Sequence, residues 1–112
     1  MKYMLLIQHG PGEWDDLSEA EQKRVAADYQ AVSTAPGVTP GAWMEGPELA
    51  TTVRVDGGKT LTTDGPFVAV KEAIAGYLFY EAEDLDAAIE LASRIPAARL
   101  GGAVEVRPLK DA

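Results

Sequence analysis

The chain has 112 residues, 46% of them hydrophobic and 25% charged, which suits one globular domain over residues 1–112, since domains most often hold about 100–150 residues. Its net charge of −8 makes a surface that repels nucleic-acid phosphates and anionic lipid heads, so no direct nucleic-acid or membrane partner is expected. With no cysteine in the chain, disulfides, thiolate catalysis and thiolate-bound metals are excluded.

The first ten residues carry one lysine and an apolar run too short for a signal peptide or a membrane span, which predicts a cytoplasmic protein. Residues 3–8 are apolar at nearly every position, as in a strand buried on both faces, and His9-Gly10-Pro11-Gly12 ends it. Ser18-Glu19-Ala20-Glu21 has capping-box spacing and starts a helix. Val25, Tyr29 and Val32 form its narrow apolar stripe, and Pro36-Gly37 stops it.

A strand is predicted over residues 38–46, with Pro40 near its start and with Trp43 and Glu45 on one face. Two β-rich runs, residues 51–55 and 59–63, flank Asp56-Gly57-Gly58, the strongest hairpin signal in the chain. The second run empties into Asp64-Gly65-Pro66-Phe67, where Gly65 permits backbone angles closed to other residues and Pro66 offers no N–H to a ladder, so a turn is forced.

Residues 73–81 read as a strand with Ile74, Leu78 and Tyr80 on one face and Ala75, Tyr77 and Phe79 on the other, neither made for water. A second helix follows, capped by Asp84, with Leu85, Ala88, Ile89, Ala92 and Ile95 as its stripe and Pro96 as its stop. Residues 103–107 alternate apolar and charged, as in a strand wet on one face.

The order β-α-β-β-β-β-α-β is an α+β, split βαβ arrangement with one additional hairpin. Two helices cover one face of such a sheet, and the simplest cover for the other is the same face of a second copy, which predicts a homodimer with a pocket between the sheets.

Several motifs carry a resemblance: Met1-Lys2-Tyr3-Met4-Leu5-Leu6-Ile7, Thr52-Val53-Arg54, Thr63-Asp64-Gly65-Pro66-Phe67, Lys71-Glu72, Gly76-Tyr77, and Ala92-Ser93-Arg94-Ile95-Pro96-Ala97-Ala98-Arg99 with Val104-Glu105-Val106-Arg107-Pro108. In order and spacing they resemble the YCII-related family, in its branch named for the Asp-Gly-Pro-Phe (DGPF) motif. The resemblance implies a dimeric α+β barrel of ferredoxin-like subunits, and an association with extracytoplasmic-function sigma factors, beside which such proteins are often encoded. Some members carry a His-Asp pair proposed for acid–base work, with the His in the first helix. Here the helix has no His, so that dyad does not carry over, and Ala69 stands where relatives often have Glu.

His9 is the only histidine and the one side chain whose ordinary pKa lies near neutrality. As a general base it needs a carboxylate to orient it, and Asp64 is the candidate. The plainer readings are a half-exposed His at a strand end and an Asp hydrogen-bonded within its own turn. Lys71 and Glu72 either hold and position a small anionic substrate or are solvated charges beside a strand. Trp43, Tyr77 and Phe79 either line the pocket or pack core and interface. Arg94 and Arg99 suit the negative end of the second helix. No metal-ligand spacing, phosphate loop, dinucleotide fingerprint or nucleophile elbow is present, so no cofactor is expected.

Two functions fit these residues. One is a cofactor-independent lyase or isomerase that moves a proton on a small anion. The other is a non-catalytic dimeric binding or regulatory module.

Overall fold

Alternation is the first thing the chain builds on. In strand β1 (Lys2–His9), Tyr3, Leu5 and Ile7 are buried while Met4, Leu6 and Gln8 on the opposite face are half-buried. The structure, a computed structural model, describes residues 1–10, 14–65 and 73–110.

Helix α1 (Glu19–Ser33) starts as its capping box requires: the Glu21 N–H donates to Ser18 Oγ at 3.1 Å and the Ser18 N–H to Glu21 Oε1 at 3.1 Å. Val25 and Val32 are buried and Tyr29 half-buried, the stripe expected from the sequence. After Gly37, whose φ of +86° suits glycine, comes β2 (Val38–Trp43), which stops short of the predicted Gly46.

Strands β3 (Thr51–Asp56) and β4 (Lys59–Asp64) pair from Thr51 opposite Asp64 to Asp56 opposite Lys59. The two-residue turn between them puts Gly57 and Gly58 at φ of +57° and +81°, the paired positive values that match strand twist. Gly65 has φ of +98°, as the turn at Asp64 requires. The rest of that turn, and Lys71 and Glu72, lie outside the described residues.

Strand β5 (Ala73–Glu81) leads to α2 (Leu85–Ser93), whose Ala87 N–H donates to Asp84 Oδ1 at 2.9 Å, and the chain closes with β6 (Ala103–Pro108). One antiparallel sheet runs β2-β5-β1-β6, and β3-β4 stands as a separate two-stranded sheet inserted between β2 and β5. The α+β order read from the sequence is therefore the order seen.

Both helices pack on one face of the four-stranded sheet, in a core of Tyr3, Leu5, Ile7 and Leu78 from strands with Val32, Ala88, Leu91 and Ile95. Two expectations are corrected here. The α2 stripe is Ala88, Leu91, Ala92 and Ile95, at i, i+3, i+4 and i+7, while Leu85 and Ile89 are exposed. Ile74 does not share a face with Leu78: β5 bulges at Ala75, so Gly76 opposes Ile7 while Ile74 opposes Gln8, and the extra residue turns Ile74 to the outer face.

That outer face carries Met4, Leu6, Tyr77 and Phe79, with the Tyr77 and Phe79 rings edge to face at 5.9 Å and Lys2 Nζ 5.8 Å from the Phe79 ring. Among the described residues, no helix is long and apolar enough to cross a membrane.

Candidate functional site

The site lies on the helix side of the sheet, at the bulged end of its strands. β1 ends in His9, α1 presents Tyr29 one turn before Ser33, and β2 brings Trp43 opposite Gly76. Between Pro40 and Trp43, β2 has one residue more than its partner, so both side chains fall on the helix face.

Gly76 makes that placement sterically available: a Cβ there would stand 2.7 Å from Trp43 Cε3. A Cβ on Gly41 would overlap the Tyr77 carbonyl and ring, so the bulge is also tied to small residues.

The resulting cluster is tight. His9 Nε2 lies 3.2 Å from the Tyr29 hydroxyl, which donates to it when the ring proton is on Nδ1 and accepts when it is on Nε2. The His9 and Trp43 rings are 5.8 Å apart, and Tyr29 meets Trp43 edge to face at 4.9 Å and 88°. Beside them opens a cleft of about 100 Å³, lined by Tyr29, Trp43, Ser33, the Pro40–Ala42 bulge, Ile7, Tyr77 and Leu78. These lining side chains include none that is charged at neutral pH, and Trp43, 57% exposed, forms the rim. Among its lining side chains the Tyr29 phenol and the Ser33 hydroxyl can hydrogen-bond a small molecule, and the His9 imidazole contacts that phenol.

The structure brings together only part of what the sequence singled out. His9 and Trp43 meet. Asp64 closes β4 opposite Thr51, exposed, with no side-chain hydrogen bond or ion pair among the described residues, and His9 contacts Tyr29 and Trp43 rather than Asp64. Lys71 and Glu72 lie outside the described residues. Tyr77 borders the cleft beside Gly41 but holds its ring on the outer face, where Phe79 also lies. Arg99 donates to Asp28 at 2.6 Å, tying the turn after α2 to α1.

Tyr29 and Ser33 were missed as site residues. Tyr29 reads as a stripe residue, and the signal that could have found it is its hydroxyl, which needs a partner once the ring is packed; Ser33 then follows at i+4 on the same helix face. Among the described residues, no group of three or more His, Asp or Glu side chains could hold a metal ion.

The family comparison matches the YCII-related domain over residues 1–112. The chain belongs to the YCII-related domain family. It is also similar to an uncharacterized protein of Rhizobium meliloti (strain 1021), 32% identical over 114 residues that cover 97% of this chain and 92% of the relative. That relative brings no activity with it, so the chemistry of this YCII-related domain rests on its own residues.

Proposed function

We propose that this YCII-related domain, of the DGPF branch and with ferredoxin-like subunits paired as a dimeric α+β barrel, is a cofactor-independent enzyme that moves a proton on a small substrate. The observation that carries the reading is the His9 Nε2 to Tyr29 hydroxyl contact of 3.2 Å beside an uncharged, aromatic-walled cleft. In the family resemblance the base comes from the first helix; here α1 contributes the phenol and β1 the imidazole. His9 takes the proton, Tyr29 orients the ring and shares it, and Trp43 holds a planar substrate against the wall. Lys71, two residues before the strand residue that pairs with His9, supplies the charge for an anionic group.

The test is solvent-deuterium exchange into a panel of small enolisable acids and lactones, followed by proton NMR. Wild-type protein is expected to exchange an acidic C–H above background, His9→Gln to lose about 100-fold or more, and Tyr29→Phe to lose part of that. Equal exchange in wild type and His9→Gln sinks the catalytic reading.

A second reading has its own observation. The partner His9 meets among the described residues is a phenol, a weaker orienting group than the carboxylate that strong bases use. On that reading the cleft binds without turnover, as part of a regulatory module linked to an extracytoplasmic-function sigma factor. Ligand-induced NMR shifts at Trp43 without deuterium exchange would select it.

A further inference from the structure

Strands β3 and β4 are left without a core. Of their residues only Thr52 is even half-buried, and Val53 and Val55 are 59% and 69% exposed. The hairpin's stem is held by the Gly65 N–H donating to the Ala50 carbonyl at 2.7 Å and Thr52 Oγ1 donating to the Gly65 carbonyl at 2.6 Å. A lone two-stranded hairpin is at best marginal in water, so six regular pairs without a packed face need cover.

The dimensions of the chain say how much is missing. Its radius of gyration is 16.1 Å, against about 13 Å for a compact chain of this length, and its extents are 49 × 39 × 18 Å. It exposes 7794 Å², where a compact monomer of its mass exposes about 5,900 Å². The excess, about 1,900 Å², is more than twice the roughly 800 Å² that each partner of a standard interface buries. Four strands about 4.8 Å apart and about 20 Å long present roughly 400 Å² of planar face. Even doubled for side-chain relief, the outer sheet face leaves about half the excess over, and among the described residues the arm is the element left unpacked.

Charge then selects the occupant. The chain is at −8, yet the outer face balances Lys2 and Arg107 against Glu81 and Glu105, and the valine face of the arm carries one charge, Asp64 at its base, with Arg54, Asp56 and Lys59 on the reverse face. These two surfaces of low charge are where a like-charged copy can approach with least repulsion.

We infer that the β3–β4 arm is an intersubunit arm, its Val53 and Val55 face buried against a second copy of this chain at the margin of the paired sheets. The inference rests on the dimer reading above and goes beyond it, because face-to-face sheets alone leave the arm bare. By register, Thr60 and Thr62 share this face with the valines, and so does Asp64 at its base.

The experiment uses the full chain. Sedimentation equilibrium is expected to show a dimer, and Val53→Glu combined with Val55→Glu to weaken it at least 30-fold with far-UV circular dichroism unchanged. Because the chain lacks cysteine, Thr60→Cys gives a single site for a thiol-linked benzophenone. In a mixture of ¹⁵N-labelled and unlabelled chains it is expected to cross-link the arm to a peptide of the other copy. A wild-type monomer overturns both the dimer reading and the arm. A dimer that Leu6→Glu dissociates while the valine pair leaves its constant unchanged, or cross-links confined within one chain, overturns the arm alone.

Discussion

Replacing Gly76 with alanine tests how the cleft wall is built. The new Cβ would stand 2.7 Å from Trp43 Cε3, 3.0 Å from Cζ3 and 3.1 Å from the Ala42 carbonyl oxygen. Carbon atoms prefer about 3.5–4.0 Å, so the indole must move by roughly 1 Å or swing outward, and as a rim residue it can. Swinging out forfeits its edge contact with Tyr29, about 0.5–1.5 kcal/mol, while a crowded alternative costs about 1–3 kcal/mol. Against this, losing a glycine from the unfolded chain stabilises by about 0.4–1 kcal/mol. The cheaper course governs, so the expected net change runs from about neutral to a loss of about 1 kcal/mol, and in a Trp43→Ala background the same change should cost about 0.5–1.5 kcal/mol less, only the carbonyl contact remaining. Urea denaturation of the four proteins at one fixed concentration, followed by far-UV circular dichroism, measures both. If Gly76→Ala costs the same with and without Trp43, the indole is not what Gly76 makes room for, and the account of the wall is wrong.

The α2 stripe gives a paired prediction: Leu91→Ala, at a side chain 1% exposed, should cost about 2–5 kcal/mol, and Ile89→Ala, at one 50% exposed, less than about 0.5 kcal/mol, read as urea midpoints. Ser18→Ala should cost about 1 kcal/mol by removing the cap of α1. The Ser18 N–H, then its hydroxyl, hold the Glu21 carboxyl below its ordinary pKa. A carboxyl lowered on folding stabilises above its unfolded pKa and loses that contribution as pH falls through the folded one, so the cap should weaken only under acid conditions. A ¹³C NMR titration in which Glu21 keeps its lowered midpoint in Ser18→Ala would refute the hydroxyl's share in it.

The fold was legible because local signals and burial agree. The Ser18 capping box, the Asp84 cap, the Gly57-Gly58 turn and the Val25–Tyr29–Val32 stripe each name a conformation that neighbouring residues reinforce, and each is present. Leu85 and Ile89 misled because an apolar residue at 3.6-residue spacing can sit on the border of a stripe, and the buried arc of α2 centres on Leu91 instead. Of the candidate site, the sequence singled out His9, Trp43 and Tyr77 but not Tyr29 or Ser33. Tyr29 lies 20 residues from His9 in sequence, and no periodicity encodes that a helix hydroxyl will meet a strand-end imidazole.

The harder obstacle is the bulge. Reading alternate residues onto alternate faces assumes that every strand keeps its register, and one extra residue reverses every assignment beyond it. On that rule Pro40 and Trp43, three apart, belong to opposite faces, and Ile74 belongs with Leu78. The two bulges, at 41–42 in β2 and at Ala75 in β5, reverse both. They lie on adjacent strands at one end of the sheet, where the Met44 N–H also donates to the Ala75 carbonyl at 2.7 Å, so the kinks are coupled through one hydrogen bond. Their joint effect is to carry an indole to the helix side beside His9 and an isoleucine to the outer side, the first making a cleft and the second extending the apolar face. The same two inserted residues thus set the candidate chemistry on one side of the sheet and the candidate interface on the other. Deleting Ala42 to restore the β2 register should therefore leave Trp43 opposite Gly76 on the helix face, because Pro40, Gly41 and Trp43 would then alternate regularly, and an indole that lost its NMR contacts with Tyr29 in that variant would break the link.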